Sequence, residues 1–205
     1  MSNLGQQLKR HFHLADTLER IILINIAVFV LIRLINALSS LFLHPFLEFD
    51  QVSEYLAVPS NLKALLYHPW TIITYMFLHW DPLHILFNML WLFWMGKILT
   101  EFLGKSKILG TYILGGLTGA VFYILAFNLF PLFTHFANDS HALGASASVM
   151  AVTIAAATLV PDYLIHLMFI GPVRLKYIAL ATIVLDAISI SSTNAGGHIA
   201  HLGGA

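Results

Sequence analysis

Six apolar segments, at residues 21–43, 83–99, 108–130, 146–160, 175–190 and from about 196 onward, constrain this chain more than any other feature. Backbone polar groups left unpaired in hydrocarbon cost several kcal/mol each, so a segment that enters a bilayer closes its own hydrogen bonds as a helix. With 59% hydrophobic and 10% charged residues in a chain of 205, the apolar runs exceed what a soluble core uses. The expected fold class is an all-α, polytopic membrane protein, a bundle of six helices. Several segments fall short of the roughly 20 residues that span a bilayer at a rise of about 1.5 Å each. The last is the shortest: from Gly196 to Ala205 it reaches only about 15 Å, which predicts a truncated final helix.

Charge orients the bundle. If the segments alternate across the membrane, Lys9, Arg10, Arg20, Lys97, Lys105, Lys107, Arg174 and Lys176 share one side. Lys63, Glu48, Asp50, Glu54, Asp81 and Asp139 share the other. The positive-inside rule then puts the N-terminus in the cytoplasm. No small-residue cleavage pattern follows the first apolar run, which reads as a retained anchor. Leu4, Leu8, Phe12, Leu14 and Leu18 suit a short helix lying on the membrane surface. The formal net charge is zero and no basic stripe exists, which argues against a nucleic-acid partner. The absence of cysteine removes disulfide and thiolate chemistry. With no internal repeat and no linker, residues 1–205 read as one transmembrane domain, comprising a cytoplasmic N-terminal segment at 1–20 and an outer membrane-associated loop at 44–81.

That loop mixes Phe46, Leu47, Leu56, Leu65, Leu66, Tyr67, Trp70 and Tyr75 with polar residues, a composition suited to short helices at headgroup level. At its end, Asp81 and Pro82 form a helix N-cap and first residue, after which His84 and Asn88, four apart, share a helix face. Such a pair commonly glues helices together. Here it falls at the outer depth expected of Ser146, which turns the reading toward chemistry.

Ser146 and Ser148 compete in the fourth segment. Two residues along a helix differ by about 200°, so only one can face a given neighbour, and Gly144 and Ala147 leave room for approach at Ser146. In the sixth segment Gly196, Ala200 and Gly204 form a small-residue ridge beside His201. A serine and a histidine on adjacent helices supply a nucleophile and the base that takes its proton. His198, three residues before His201, also admits a metal site with His84 or His79. Without HExxH or the usual carboxylate or thiolate companions, no metal and no cofactor are expected. Arg33 reads as a charge that pairs or reaches out of the membrane, Asp186 as a buried hydrogen-bonding group and not a catalyst, and Gly115, Gly116 and Gly119 as a close helix contact.

From about Trp70 onward the chain resembles the rhomboid intramembrane serine proteases of bacterial type. The resemblance rests on the Trp70 loop, His79, the face from His84 to Asn88, Glu101, the GxSx at Gly144 to Ala147, and GxxxAHxxG from Gly196 to Gly204. It implies a six-helix rhomboid-like bundle in which Ser146 is the nucleophile and His201 the general base, with no acidic third member. The Ser146 N–H, His84 and Asn88 would be the oxyanion donors. It further implies an endopeptidase in a bacterial inner membrane that cuts transmembrane protein substrates near the outer end of a helix, with lipid as its other partner. Polar His79, His141, Ser140 and Asp139 would wet the outer mouth. Thr71 stands where many members have the arginine that anchors the loop, and Met150 where some place an aromatic ring against the histidine. Two competing readings are a rhomboid-like factor that binds membrane proteins without cutting them, and a small transporter with a histidine-lined path.

Overall fold

The computed structural model describes residues 15–41, 49–167, 170–192 and 194–205. Six longer helices carry the fold: α1 (Thr17–Leu41), α2 (Pro82–Leu103), α3 (Ile108–Leu129), α4 (Ser146–Leu159), α5 (Leu175–Ile188) and α6 (Ala195–Gly204). They coincide with the six apolar segments read from the sequence. By length and composition α1, α2 and α3 can each cross a membrane, whereas α4 is a shorter apolar helix of 14 residues. The surface helix expected over Leu4, Leu8, Phe12 and Leu14 lies outside the described residues, as does the 44–48 part of the outer loop.

Small residues decide which helices meet. A methyl group at Gly119 of α3 would lie 2.5 Å from the Cβ of Ala147 on α4 and 2.8 Å from the carbonyl oxygen of Ala200 on α6. Gly115 is equally closed by Ala151, and Gly204 by the Ala147 backbone. Without side chains at these points α3, α4 and α6 approach closely, the way helices associate where lipid removes the hydrophobic drive between them. The predicted glycine contact of α3 and the ridge of α6 are thus two sides of one junction.

Helix α1 is peripheral. Leu18, Ile21, Asn25, Ile32 and Ser39 are its buried residues, while Val30, Leu31, Leu34, Leu38 and Leu41 remain exposed as a lipid-facing surface does. Leu18 fills the space over Gly96 of α2. The Asn25 amide nitrogen donates to the Tyr112 hydroxyl at 3.2 Å, and that hydroxyl donates to the Met76 carbonyl at 2.8 Å, a polar link between α1, α3 and the loop before α2. Arg33 has its guanidinium 5.4 Å from the centre of the Trp80 ring, a cation–π partner for the charge in this helix.

Between α1 and α2 the described chain forms short helices at Phe49–Leu56, Leu62–Tyr67 and Thr71–Thr74 and a 3-10 turn at Tyr75–Phe77, as its composition predicts. Thr71 does not leave the loop unanchored. The Trp70 indole donates to the Tyr55 carbonyl at 2.7 Å, and the Thr74 hydroxyl to the Leu56 carbonyl at 2.7 Å. Strand β1 (Val58–Pro59) pairs antiparallel with β2 (His141–Ala142), tying this loop to the segment that leads into Ser146. A hairpin of β3 (Leu164–Leu167) and β4 (Gly171–Arg174) joins α4 to α5, a small strand element that the all-helical expectation did not contain.

Among the described residues the basic side chains form ion pairs in two groups. Lys97 lies 3.8 Å from Asp16 and 3.7 Å from Glu19, and Lys105 lies 3.5 Å from Asp16, so the start of α1 and the end of α2 share one end of the molecule. In the turn after α4 Asp162 meets Arg174 at 3.3 Å and Lys176 at 2.7 Å. Exposed pairs of this kind contribute little stability, but they report which ends lie together.

Candidate active site

Helix α4 starts at Ser146, and the residues before it explain why. Gly144 has φ near +120°, a conformation that a side chain resists, and its N–H donates to the Tyr75 carbonyl at 2.9 Å. A Cβ at Gly144 would lie 2.8 Å from Cε1 of His84 and 3.7 Å from Oγ of Ser146. Only glycine lets the His84 ring come up beside the serine. The next N–H, of Ala145, donates to Nε2 of His79 at 3.3 Å.

His79 is fully buried and belongs to this support and not to the outer mouth, which corrects the expectation. Burial first, and His84 second, push its imidazole down to about 4, so at neutral pH it is an uncharged acceptor for the Ala145 amide. A helix leaves its first amides without carbonyl partners and carries positive charge at that end. The Ser146 N–H is one of these amides, which is the physical basis for an oxyanion donor at this position.

Four helices line one cavity of about 500 Å³. Helix α4 supplies Ser146, Val149, Met150 and Thr153, and α2 supplies His84, Phe87, Asn88 and Trp91, each a stripe at helical spacing. From α5 come Thr182, Leu185 and Asp186, and from the end of the chain Asn194, Gly197 and His201. The four residues predicted from sequence, Ser146, His201, His84 and Asn88, therefore share one cavity. Ser148 is buried with its hydroxyl unpartnered and lies off this lining, in line with the helix-phase argument. A second cavity of about 400 Å³ reaches Ser146 and His84 past Ser140 and His141, and gives the serine a polar approach.

Three polar contacts bear on the expected pattern. Asn88 donates its amide to the His84 carbonyl at 2.9 Å, which engages one of its two N–H bonds and leaves the other. The Met150 sulfur, where some members place an aromatic ring, lies 3.7 Å from the Thr182 hydroxyl, whose proton goes to the Ala179 carbonyl at 2.8 Å. Most consequential, Nδ1 of His201 lies 3.0 Å from Oδ1 of Asp186, and Nδ1 of His198 lies 2.7 Å from the same oxygen. Among the described residues Asp186 is the side-chain hydrogen-bond partner of His201. A carboxylate does accompany the two histidines, contrary to expectation, and the three ligand atoms lie within 4.8 Å of one another.

Asp186 was legible as a buried hydrogen-bonding group, because an acid in an apolar segment demands partners. Its partners were not legible. They sit on another helix, 12 and 15 residues away, and no local spacing reports how α5 meets α6.

Residues 67–205 match the Rhomboid domain, and the chain belongs to the rhomboid family. It is an integral membrane protein with a rhomboid-like helical bundle. Over 199 residues it is 28% identical to RHOMBOID-like protein 12, mitochondrial, of Arabidopsis thaliana, covering 93% of this chain and 55% of that protein. Over 125 residues it is 26% identical to Rhomboid protease GlpG of Pectobacterium atrosepticum, covering 52% of this chain and 40% of the relative. For Rhomboid protease GlpG of Yersinia pestis the identity is 31% over 93 residues, 37% of this chain and 33% of the relative. The chain thus spans about half, or less, of the length of these relatives.

Proposed function

We propose that the protein is an intramembrane serine endopeptidase in which Ser146 is the nucleophile and His201 the general base. The observation that carries this reading is the cavity shared by Ser146, His201, His84 and Asn88, brought together from three helices. Ser146 Oγ attacks the carbonyl carbon of a substrate peptide bond while Nε2 of His201 takes its proton. Negative charge then develops on the carbonyl oxygen, where the Ser146 N–H, His84 and Asn88 donate. As the tetrahedral adduct collapses, the C–N bond breaks, the leaving amine takes the proton from His201, and Ser146 holds the acyl group. Water arriving by way of Ser140 and His141 hydrolyses that ester with His201 again as base.

The substrates are transmembrane proteins. A helical peptide bond is shielded by its own hydrogen bonds, so the segment that is cut needs helix-weakening residues near its outer end. The basic end formed by Lys97, Lys105, Arg174 and Lys176 faces the cytoplasm together with 1–20, and 44–81 lies against the outer leaflet of a single domain at 1–205. The GlpG relatives are bacterial and support a bacterial inner membrane, whereas the Arabidopsis relative carries a mitochondrial name.

The test is labelling by a fluorophosphonate probe together with cleavage of a transmembrane substrate. Ser146→Ala should abolish both, and Ser148→Ala should reduce them modestly. Equal labelling of the Ser146→Ala protein overturns the assignment. The second reading, a rhomboid-like factor that binds membrane proteins without cutting them, predicts an unlabelled wild type.

A further inference from the structure

We propose that Asp186 is a positioning residue for His201, so that the dyad of the proposed endopeptidase works here with an acid behind its base. The inference rests on that functional reading for its catalytic consequence, and on geometry alone for the contact. Asp186 is 6% exposed, in an apolar helix, and a single carboxylate oxygen faces Nδ1 of both His198 and His201 at hydrogen-bond distance. An ionised carboxylate only accepts, so each imidazole donates an N–H from Nδ1. Two donors on one oxygen are what a carboxylate needs to be tolerated in a medium of low dielectric.

The consequence for His201 is a choice of tautomer. With the proton held at Nδ1, Nε2 carries the lone pair, and Nε2 is the atom that a base must offer to a serine. Once His201 takes the Ser146 proton it becomes an imidazolium, and the adjacent carboxylate stabilises that charge where water does not. The two histidines are not equivalent. Asn194, Gly197 and His201 line the cavity at helical spacing, while His198, one residue past Gly197, lies off that lining. His198 therefore braces the carboxylate from the side, and His201 presents its free nitrogen to the cavity that holds Ser146.

The experiment uses the full chain in detergent, labelled with 15N-histidine and assigned by comparison with a His201→Gln protein. Wild-type His201 should be the Nδ1–H tautomer. Asp186→Asn can donate from its own amide and should move the population toward Nε2–H. It should also lower kcat by about a hundredfold or more and leave KM within about twofold, because the loss falls on the proton transfer and not on substrate binding. Asp186→Glu should recover part of that loss.

Nε2–H as the wild-type tautomer overturns the proposal, as does an Asp186→Asn protein that turns over within about threefold of wild type. The wild-type tautomer requires no variant to fold, so poor folding of Asp186→Asn does not shield the idea. A wild type that takes no fluorophosphonate label sinks the endopeptidase reading instead, and the tautomer measurement still decides whether Asp186 holds His201.

Discussion

At Ser146 the residues that matter are those that shape its surroundings. Gly144 combines a positive φ with a Cβ direction that His84 occupies, so Gly144→Ala meets both a strained backbone, worth about 1–3 kcal/mol, and a displaced ring. Its thermal midpoint should fall by a few degrees and its turnover more steeply. Calorimetry and substrate hydrolysis on one sample separate the two, and an unchanged turnover would show that the His84 ring position is not used. His84→Ala and Asn88→Ala should each lower turnover by up to roughly a few hundredfold with smaller effects on KM, since the interaction strengthens as charge develops. A raised KM at constant kcat would reassign them to binding. His79 adds a pH dependence. Its folded form resists protonation down to about 4, while the unfolded chain binds a proton near 6.5, so between those values unfolding takes up a proton. Stability is complete above that window and declines as pH falls through it, by at most about 1.4 kcal/mol per pH unit. Asp16, held low mainly by the Glu19 N–H, loses its contribution only at more acid pH. His79→Gln should flatten the slope of thermal unfolding in the upper window, and an unchanged slope would remove His79 as its source.

At the level of elements, α3 is the pivot, and two of its glycines make opposite predictions. Gly119 faces Ala147 and the Ala200 carbonyl, whereas a side chain at Gly110 would meet nothing within 4 Å. Gly119→Val overpacks the α3, α4 and α6 junction, destabilising by about 1–3 kcal/mol, and shifts Ser146 relative to His201. Gly110→Ala should stabilise by up to about 1 kcal/mol through helix propensity alone. Thermal unfolding of both, with probe labelling at Ser146, checks the pair. If Gly119→Val melts and labels like wild type, the close junction does not set the site.

For the whole molecule the arrangement of ends is the testable quantity. Asp16 with Lys97 and Lys105, and Asp162 with Lys176, mark basic clusters, while Asn61, Asn138 and His141 mark the opposite loops, joined by the Asn61 to Asn138 hydrogen bond at 2.8 Å and the β1 to β2 pair. The chain contains no cysteine, so single replacements are clean reporters. Lys107→Cys and Asp162→Cys should be protected from an impermeant maleimide in intact cells, and Asn138→Cys should react. Reaction at all three positions, or a reversed pattern, would refute the proposed orientation.

What the sequence determined by itself is local or periodic. The six apolar segments follow from the requirement that backbone in lipid pair with itself, and the start of α2 at Pro82 follows from a cap, since Asp81 accepts from the His84 N–H at 2.8 Å. Helix phase separated Ser146 from Ser148, and glycine spacing marked which faces come close. Tertiary structure alone decided the rest: that Asp186 meets His198 and His201, that His79 supports the Ala145 amide, and that the Met150 sulfur lies beside Thr182. These contacts join residues 12 to 66 positions apart on separate elements. The physical reason is that pairing between helices depends on rotation and depth, which side-chain packing over the whole bundle selects and no single segment encodes.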